Sequence, residues 1–302
     1  MAEDPRLRPA LATVWPGSTA VVAPIEAGIT NRNYRVEVGG EVFVVRLAGA
    51  DTELLGIDRE HEVEAGRAAA TAGVGPEVVA FVPELGCVVT RFVQGDAIPD
   101  ERLAEPNVIR AIVASIRSIH GCPPISATFP VFRIVEDYRD TAAGRGVAIP
   151  PAYDDAHAVA GRIEAAFSSA PTALRTCHND LLNANLLLDG DHVWIVDYEY
   201  AGMGDPFFDL GNFAINNGLG PGAETLLLDA YFGDVGDVHR ARLALMRIVS
   251  DFREAMWGVV QQGISELEFD YVGYAERHFT RLLANADDER VPEWLRAAAA
   301  PV

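Results

Sequence analysis

The chain contains no lysine; all 24 of its basic residues are arginines. That absence removes a P-loop ending in Gly-Lys, a pyridoxal-phosphate or Schiff-base enzyme and a Ser-Lys catalytic pair, since each needs a primary amine. Cysteine is scarce. Cys87, Cys122 and Cys177 are odd in number and show no CxxC spacing, so neither a disulfide framework nor a zinc site is indicated. No apolar run approaches the roughly 20 residues that cross a bilayer, and the opening MAEDPRLRPA carries charge and proline where a signal peptide has its apolar core. A cytoplasmic protein with no membrane partner is expected. There is no G-x-S-x-G elbow and no H-E-x-x-H pair, which disfavours a hydrolase. The net charge of −20, with no concentration of arginine, argues against nucleic acid. It favours a cationic small substrate through steering, although general acidity explains it equally well.

What is present is organised around His178 to Gly211, HNDLLNANLLLDGDHVWIVDYEYAGMGDPFFDLG. Asp180 and Asn185 stand five apart on a loop, and a short apolar hairpin (Leu186 to Leu188, Val193 to Val196) leads to Asp197. Phosphoryl transfer from a magnesium nucleotide needs this set: one carboxylate for the attacking hydroxyl, and an amide with a second carboxylate for the metal. The spacing matches the protein-kinase pattern H-R-D-L-x-x-x-N followed by D-F-G, with Asn179, Tyr198 and Glu199 as the departures.

At 302 residues the chain can bury a sizeable core. The first part alternates like strands: 20–27, then Tyr34 to Val38 and Glu41 to Leu47 around Gly39-Gly40, a hairpin signal. Val42, Val44 and Arg46 share one face of that second strand, so Arg46 either enters a cleft or sits on a wet face. Asp58 is placed to cap a helix over Arg59 to Ala72, closed by Gly73 and carrying Glu62 on its small-residue stripe. A second hairpin, Glu77 to Phe81 and Cys87 to Phe92, precedes Val93. The expected division is 1–93 and 94–302. Beyond it, helices are predicted over Ile109 to His120, Ala156 to Phe167, Leu210 to Asn216, Glu224 to Phe232, Val238 to Gln262 and Phe269 to Leu283. Gly218 to Ala223, GLGPGA, follows a helix and contains proline, so it reads as a connector and not a dinucleotide fingerprint. Ala297 to Ala300 reads as a frayed tail.

From about Glu26 to Tyr274 the chain resembles the choline/ethanolamine kinase branch of the protein-kinase-like small-molecule kinases, related to the aminoglycoside phosphotransferases. The resemblance is carried by GITNRNY (Gly28 to Tyr34), FVVRLAG (Phe43 to Gly49), IDREHEVEAGRAAATAGVGPEV (Ile57 to Val78), HNDLLNAN, VDYEYAGMGDPFFDLGNF and REAMWGVVQ (Arg253 to Gln261). It implies a bilobal α+β protein-kinase-like fold, with a small antiparallel-sheet N-lobe and a larger, mainly helical C-lobe. It also implies ATP in the cleft between them and Mg²⁺ on the phosphates.

On this reading Asp180 orients or accepts the proton of the acceptor hydroxyl, and Asn185 and Asp197 hold Mg²⁺. His178 fixes the loop by hydrogen bonding. Asn179 replaces the arginine that reads a phosphorylated activation loop, and only eleven residues separate Asp197 from Asp209. Protein substrates are therefore disfavoured. The resemblance implies that Arg46 contacts the phosphates and pairs with Glu62, although Glu60 and Glu64 are neighbouring alternatives and a surface arginine fits the residues alone equally well. It implies that Gly28, Thr30 and Asn31 approach the phosphates by their backbone amides, and that Arg91, Phe92 and Val93 offer backbone groups to adenine. Asp209 is expected to cap a helix and brace the loop. Glu199 and Asp205 are open between acceptor binding and loop structure. A cationic, hydroxyl-bearing acceptor wants aromatic faces near a carboxylate; Trp257, Tyr200, Tyr271 and Tyr274 are the candidates. Choline or ethanolamine is the first substrate expectation. An aminoglycoside, amino sugar or thiamine is the alternative, and a silent nucleotide- or amine-binding protein is the non-enzyme one.

Overall fold

The computed structural model describes residues 4–25, 31–49, 51–265 and 267–302. Five antiparallel strands form the first lobe: β1 (Ala20–Ile25), β2 (Arg32–Val38), β3 (Glu41–Leu47), β4 (Val78–Val82) and β5 (Cys87–Arg91), in the order β1-β2-β3-β5-β4. Gly39 and Gly40 both have positive φ, which makes the tight β2–β3 connection without steric cost. Alternation along β3 sends Phe43, Val45 and Leu47 to one face, where they pack with Tyr34, Val36 and Val89 under α1 (Leu7–Val14). Sequence periodicity did not reveal α1. The opposite face turns Val44 and Arg46 into the cleft.

Helix α2 (Arg59–Thr71) starts as expected: Asp58 accepts from the Glu60 and His61 amides, and the helix stops before Gly73 at φ 74°. The sheet ends at Arg91, and β6 (Asp96–Ala97) already belongs to a second sheet, pairing with β8 (Leu186–Asp189), which pairs in turn with β9 (His192–Ile195). A third small sheet joins β7 (Arg175–Cys177) to β10 (Gly202–Gly204).

The remainder is helical: α3 (Pro106–His120), α4 (Val131–Gly144), α5 (Ala152–Ser169), α6 (Pro206–Asn216), α7 (Pro221–Phe232), α8 (Asp237–Ile264), α9 (Tyr271–Ala286) and α10 (Val291–Ala298). Helix α8 is the axis of this lobe. From Ala241 to Gln261 nearly every residue is buried, because α4, α6, α9 and α10 surround it. At Gly258 a side chain would meet the Tyr274 ring at 3.0 Å, so α8 and α9 touch where no Cβ intervenes.

One helix is unforeseen and two expectations need correction. Helix α4 was not anticipated; its first turn follows Pro130 with no side-chain cap, so the sequence offers no start signal. The alanine-rich end is not frayed. Ala298 is fully buried, and its carbonyl accepts from Arg242 at 2.8 Å. Asp209 does not cap α6: Asp205 does, accepting from the Phe207 amide at 2.9 Å, while Asp209 lies inside the first turn. The GLGPGA stretch is the α6–α7 connector with the first residues of α7, as read.

Candidate active site

The loop between β7 and β8 is held from beneath by α6. Asp209 Oδ2 accepts from the His178 amide at 2.8 Å and from His120 Nε2 at 2.9 Å, and its Oδ1 accepts from the Asn179 amide at 2.6 Å. One turn on, Asn212 accepts from the Leu181 amide at 2.6 Å, and Asn217 donates to the Leu181 carbonyl at 2.9 Å. Burial alone would raise the Asp209 carboxyl; the His120 hydrogen bond and charge outweigh it and leave the group below its ordinary value. His178 is fully buried, donates through Nε2 to the Val196 carbonyl at 3.0 Å and accepts from the Asp180 amide at 3.2 Å. Burial lowers its pKa, so it serves as a neutral strut. Asn179 adopts φ 65° and ties its side chain to the Tyr200 carbonyl at 3.0 Å. Asp197 is the other left-handed residue of the site, at φ 70°. Backbone strain of this kind persists only where the surroundings enforce it.

These supports bring Asp180, Asn185 and Asp197 to one place. Asn185 Nδ2 donates to the Asp180 carbonyl at 2.8 Å and to its Oδ2 at 3.2 Å, which commits the amide nitrogen and leaves Oδ1 without a hydrogen-bond partner among the described residues. Asn185 and Asp197 both line a cleft cavity of about 360 Å³, together with Val44, Arg46, Glu62 and Phe92. Two hard oxygen donors beside a phosphate-sized space suit Mg²⁺, so the residues present fit that ion. Burial pushes the Asp180 carboxyl up to about 7; Arg253 opposes the rise, and Glu254, Asp197 and Glu199 add to it.

Arg46 bridges Glu62 and Asp197, and of the three neighbouring glutamates it is Glu62 that faces it. Glu64 instead holds Ser126. Arg59, in the sequence no more than the first residue of α2, is the second bridge. It donates to Glu62 at 2.5 Å, Glu199 at 3.1 Å, Asn31 at 3.1 Å and Thr52 at 3.0 Å. Asn31 enters through its side chain, donating to Glu199 at 2.8 Å. Glu199 is thus tied to the first lobe, and burial raises its pKa first, with Asp197 adding to the rise. Gly28 and Thr30 lie outside the described residues. Arg91 sends its side chain outward to Glu41 and Glu77. Its amide bonds Glu77 and the Phe92 amide bonds Val42, so Val93 is the member of that trio whose N–H no described hydrogen bond engages.

On the other side of Asp180 stands an aromatic cluster. Trp257 donates to the Tyr200 hydroxyl at 3.0 Å and lies against Tyr271 and Tyr274, with ring centroids 5.8 and 5.5 Å away. Two charged residues missed from the sequence sit within it. Arg253 reaches Asp180 at 3.2 Å and Glu254 at 2.8 Å, and Tyr274 donates to Glu254 at 2.7 Å. Burial would raise the Glu254 carboxyl, but Arg253 and His278 hold it below the ordinary range. A signal was available: Asp251, Arg253 and Glu254 interrupt the stretch 248–260, which is otherwise apolar apart from Ser250, and charges so placed must be buried and paired.

Comparison with known proteins agrees with this geometry. Residues 21–246 match the profile described as the phosphotransferase enzyme family. The chain is 29% identical to ethanolamine kinase 2 of Mus musculus over 284 residues, covering 84% of this chain and 73% of that one. It is 26% identical to protein LicA of Haemophilus influenzae over 258 residues, 81% of this chain and 74% of that one. A choline/ethanolamine kinase family protein from Mesorhizobium loti superposes with a TM-score of 0.84 at 29% identity, covering 97% and 98% of the two chains. A thermostable aminoglycoside phosphotransferase shares the fold at a TM-score of 0.67 and 15% identity, over 93% and 98% of the chains. The bilobal architecture is that of the protein-kinase-like fold.

Proposed function

Because the chain belongs to the phosphotransferase enzyme family, we propose that it transfers the terminal phosphoryl group of ATP, with Mg²⁺, to the hydroxyl of a small amine-bearing alcohol. The observation that carries this reading is the convergence on the cleft of Asn185, whose Nδ2 is committed to Asp180, and of Asp197. The nucleotide occupies the 360 Å³ cavity between residues 1–93, the N-lobe, and residues 94–302, the C-lobe. Val93 offers its backbone to the base, and Arg46, oriented by Glu62, turns from Asp197 to the phosphates. Asn185 and Asp197 hold the Mg²⁺, whose chemistry is to neutralise charge on the phosphate oxygens.

Asp180 hydrogen-bonds the acceptor hydroxyl and takes its proton as the oxygen–phosphorus bond forms and the bond to the β-phosphate oxygen breaks. The products are ADP and a phosphomonoester. The relatives point to choline and ethanolamine as acceptors; the alternatives of an aminoglycoside, amino sugar or thiamine share the scaffold, and fold alone does not select among them. The aromatic cluster with Glu254 suits an ammonium group. An ADP-release assay over these compounds, with Asp180→Asn as the control, tests the reading. Magnesium-dependent turnover on at least one of them, lost in the variant, is expected. ATP binding without turnover on any amine would favour a silent binding protein.

A further inference from the structure

On the acceptor side of Asp180 the chain supplies a cation of its own. Arg253 is 1% exposed, and its guanidinium lies 4.2 Å over the Tyr200 ring. One nitrogen, Nη1, serves both Asp180 and Glu254. The other two, Nε and Nη2, are buried and have no hydrogen-bond partner among the described residues. Arginine cannot shed its charge, and a buried charged donor without an acceptor is among the costliest groups a protein can hold. The guanidinium therefore keeps two donors for an oxygen that accepts hydrogen bonds. An ammonium group cannot provide one, since it carries donors only. The guanidinium also covers a face of Tyr200 that a quaternary ammonium would use. Glu254 and the rings of Trp257 and Tyr274 remain for the amine. Against the same Tyr200 lies a second cavity of about 290 Å³, bordered by Leu55, His61, Ile134, Tyr138 and Glu199.

Resting on the phosphotransferase reading above, we infer that the acceptor is a hydroxy-amine bearing a second oxygen function, a further hydroxyl or an ether. Arg253 is the specificity-determining residue that reads this oxygen through Nε and Nη2. The attacking hydroxyl donates to Asp180, the second oxygen accepts from Arg253, and the amine meets Glu254. Choline and ethanolamine, with one oxygen each, leave the two donors unmet.

The test pairs 2-amino-1,3-propanediol with ethanolamine and choline in the ADP-release assay, using the wild type, Arg253→Lys and Arg253→Gln. The diol is expected to exceed ethanolamine in kcat/KM by about tenfold to a hundredfold, the range for a hydrogen bond to a charged group. The ratio should fall to within about twofold in Arg253→Lys, which keeps positive charge beside Asp180 but lacks the planar fork of separate nitrogens that would serve Asp180 and a further oxygen together. Calorimetric titration of both amines into wild-type protein holding a non-hydrolysable ATP analogue reads the same preference without turnover, should the variants not fold. Ethanolamine or choline used as well as the diol by the wild type would overturn the inference and leave phosphotransfer standing. So would a diol preference that survives Arg253→Lys. No turnover on any acceptor would sink both.

Discussion

Asp209→Asn tests whether α6 builds the catalytic loop. The carboxylate is 1% exposed and takes three hydrogen bonds, two on Oδ2 and one on Oδ1. Asparagine keeps one acceptor oxygen. With that oxygen in the Oδ2 position, the new NH₂ faces the Asn179 amide, donor against donor, inside the protein. Losing one charge-assisted bond and leaving a buried N–H unpaired costs about 2–4 kcal/mol. For 302 residues the unfolding entropy is about 0.6 kcal/mol/K, so the melting temperature should drop by about 3–6 °C.

Asn179 also holds the left-handed turn that delivers Asp180, and a shift of about 1 Å there should lower kcat by about 10²-fold. ATP affinity should change little, because the cleft residues do not touch Asp209. The pH dependence adds a sign. The folded-state pKa of Asp209 is depressed from 3.8, so its stabilisation is complete above the ordinary value and is lost as pH falls through the lowered one. The gap between wild type and variant should be full near neutrality and close in acid. Calorimetry and steady-state kinetics measure all four. A variant within about 1 °C of wild type, with kcat within about twofold, would refute the brace.

Three further outcomes are expected. The acceptor kcat/KM should rise with pH through a midpoint near the value of about 7 reached by Asp180, because only the ionised carboxylate accepts the proton. A profile flat from about pH 6 to 8 would count against Asp180 as base. Arg46→Lys should raise the KM for ATP by about tenfold, since one ammonium cannot span Glu62 and Asp197 as the guanidinium fork does; an unchanged KM would detach Arg46 from the nucleotide. Gly211→Ala would put a methyl 2.8 Å from the Met246 carbonyl carbon, where α6 crosses α8. Scanning calorimetry should show a loss of about 1–3 kcal/mol, and an unshifted melting curve would mean that the crossing relaxes freely.

Local signals account for what was legible in the sequence. Period-two alternation exposed the β2–β3 hairpin, and Asp58 announced the start of α2. The spacing of Asp180, Asn185 and Asp197 survived because a short loop and a tight hairpin carry it, with few ways to rearrange. What stayed hidden depends on contacts distant in sequence. Helix α4 starts without a cap, and α10 is stabilised by packing on α8. Asn212 looked like an ordinary α6 residue until the fold set it against the Leu181 amide. Arg59 looked like a helix-start residue because its partners Glu199 and Asn31 are 140 and 28 positions away.

The missing lysine bears on the site as well as on the exclusions drawn from it. Arg46, Arg59 and Arg253 each stand between two carboxylates: Glu62 and Asp197, Glu62 and Glu199, Asp180 and Glu254. A lysine ammonium is a point charge that pairs readily with one partner, whereas a planar guanidinium spans two at fixed angles. Arg46 and Arg59 tie α2 and β3 of the first lobe to the segment that follows β9 in the second. Arg253 fixes Asp180 against α8. Relative lobe position, the proposed metal-binding carboxylate Asp197 and the proposed base Asp180 are therefore coupled through shared cations. The coupling also explains why Glu199, a natural candidate for the acceptor's ammonium in the sequence, is already committed to Arg59 and Asn31, which leaves Glu254 as the carboxylate set among aromatic rings. On the proposed reading, specificity for the acceptor turns on the Arg253–Glu254 pair in the middle of α8, adjacent charges buried in an apolar stretch of the helix.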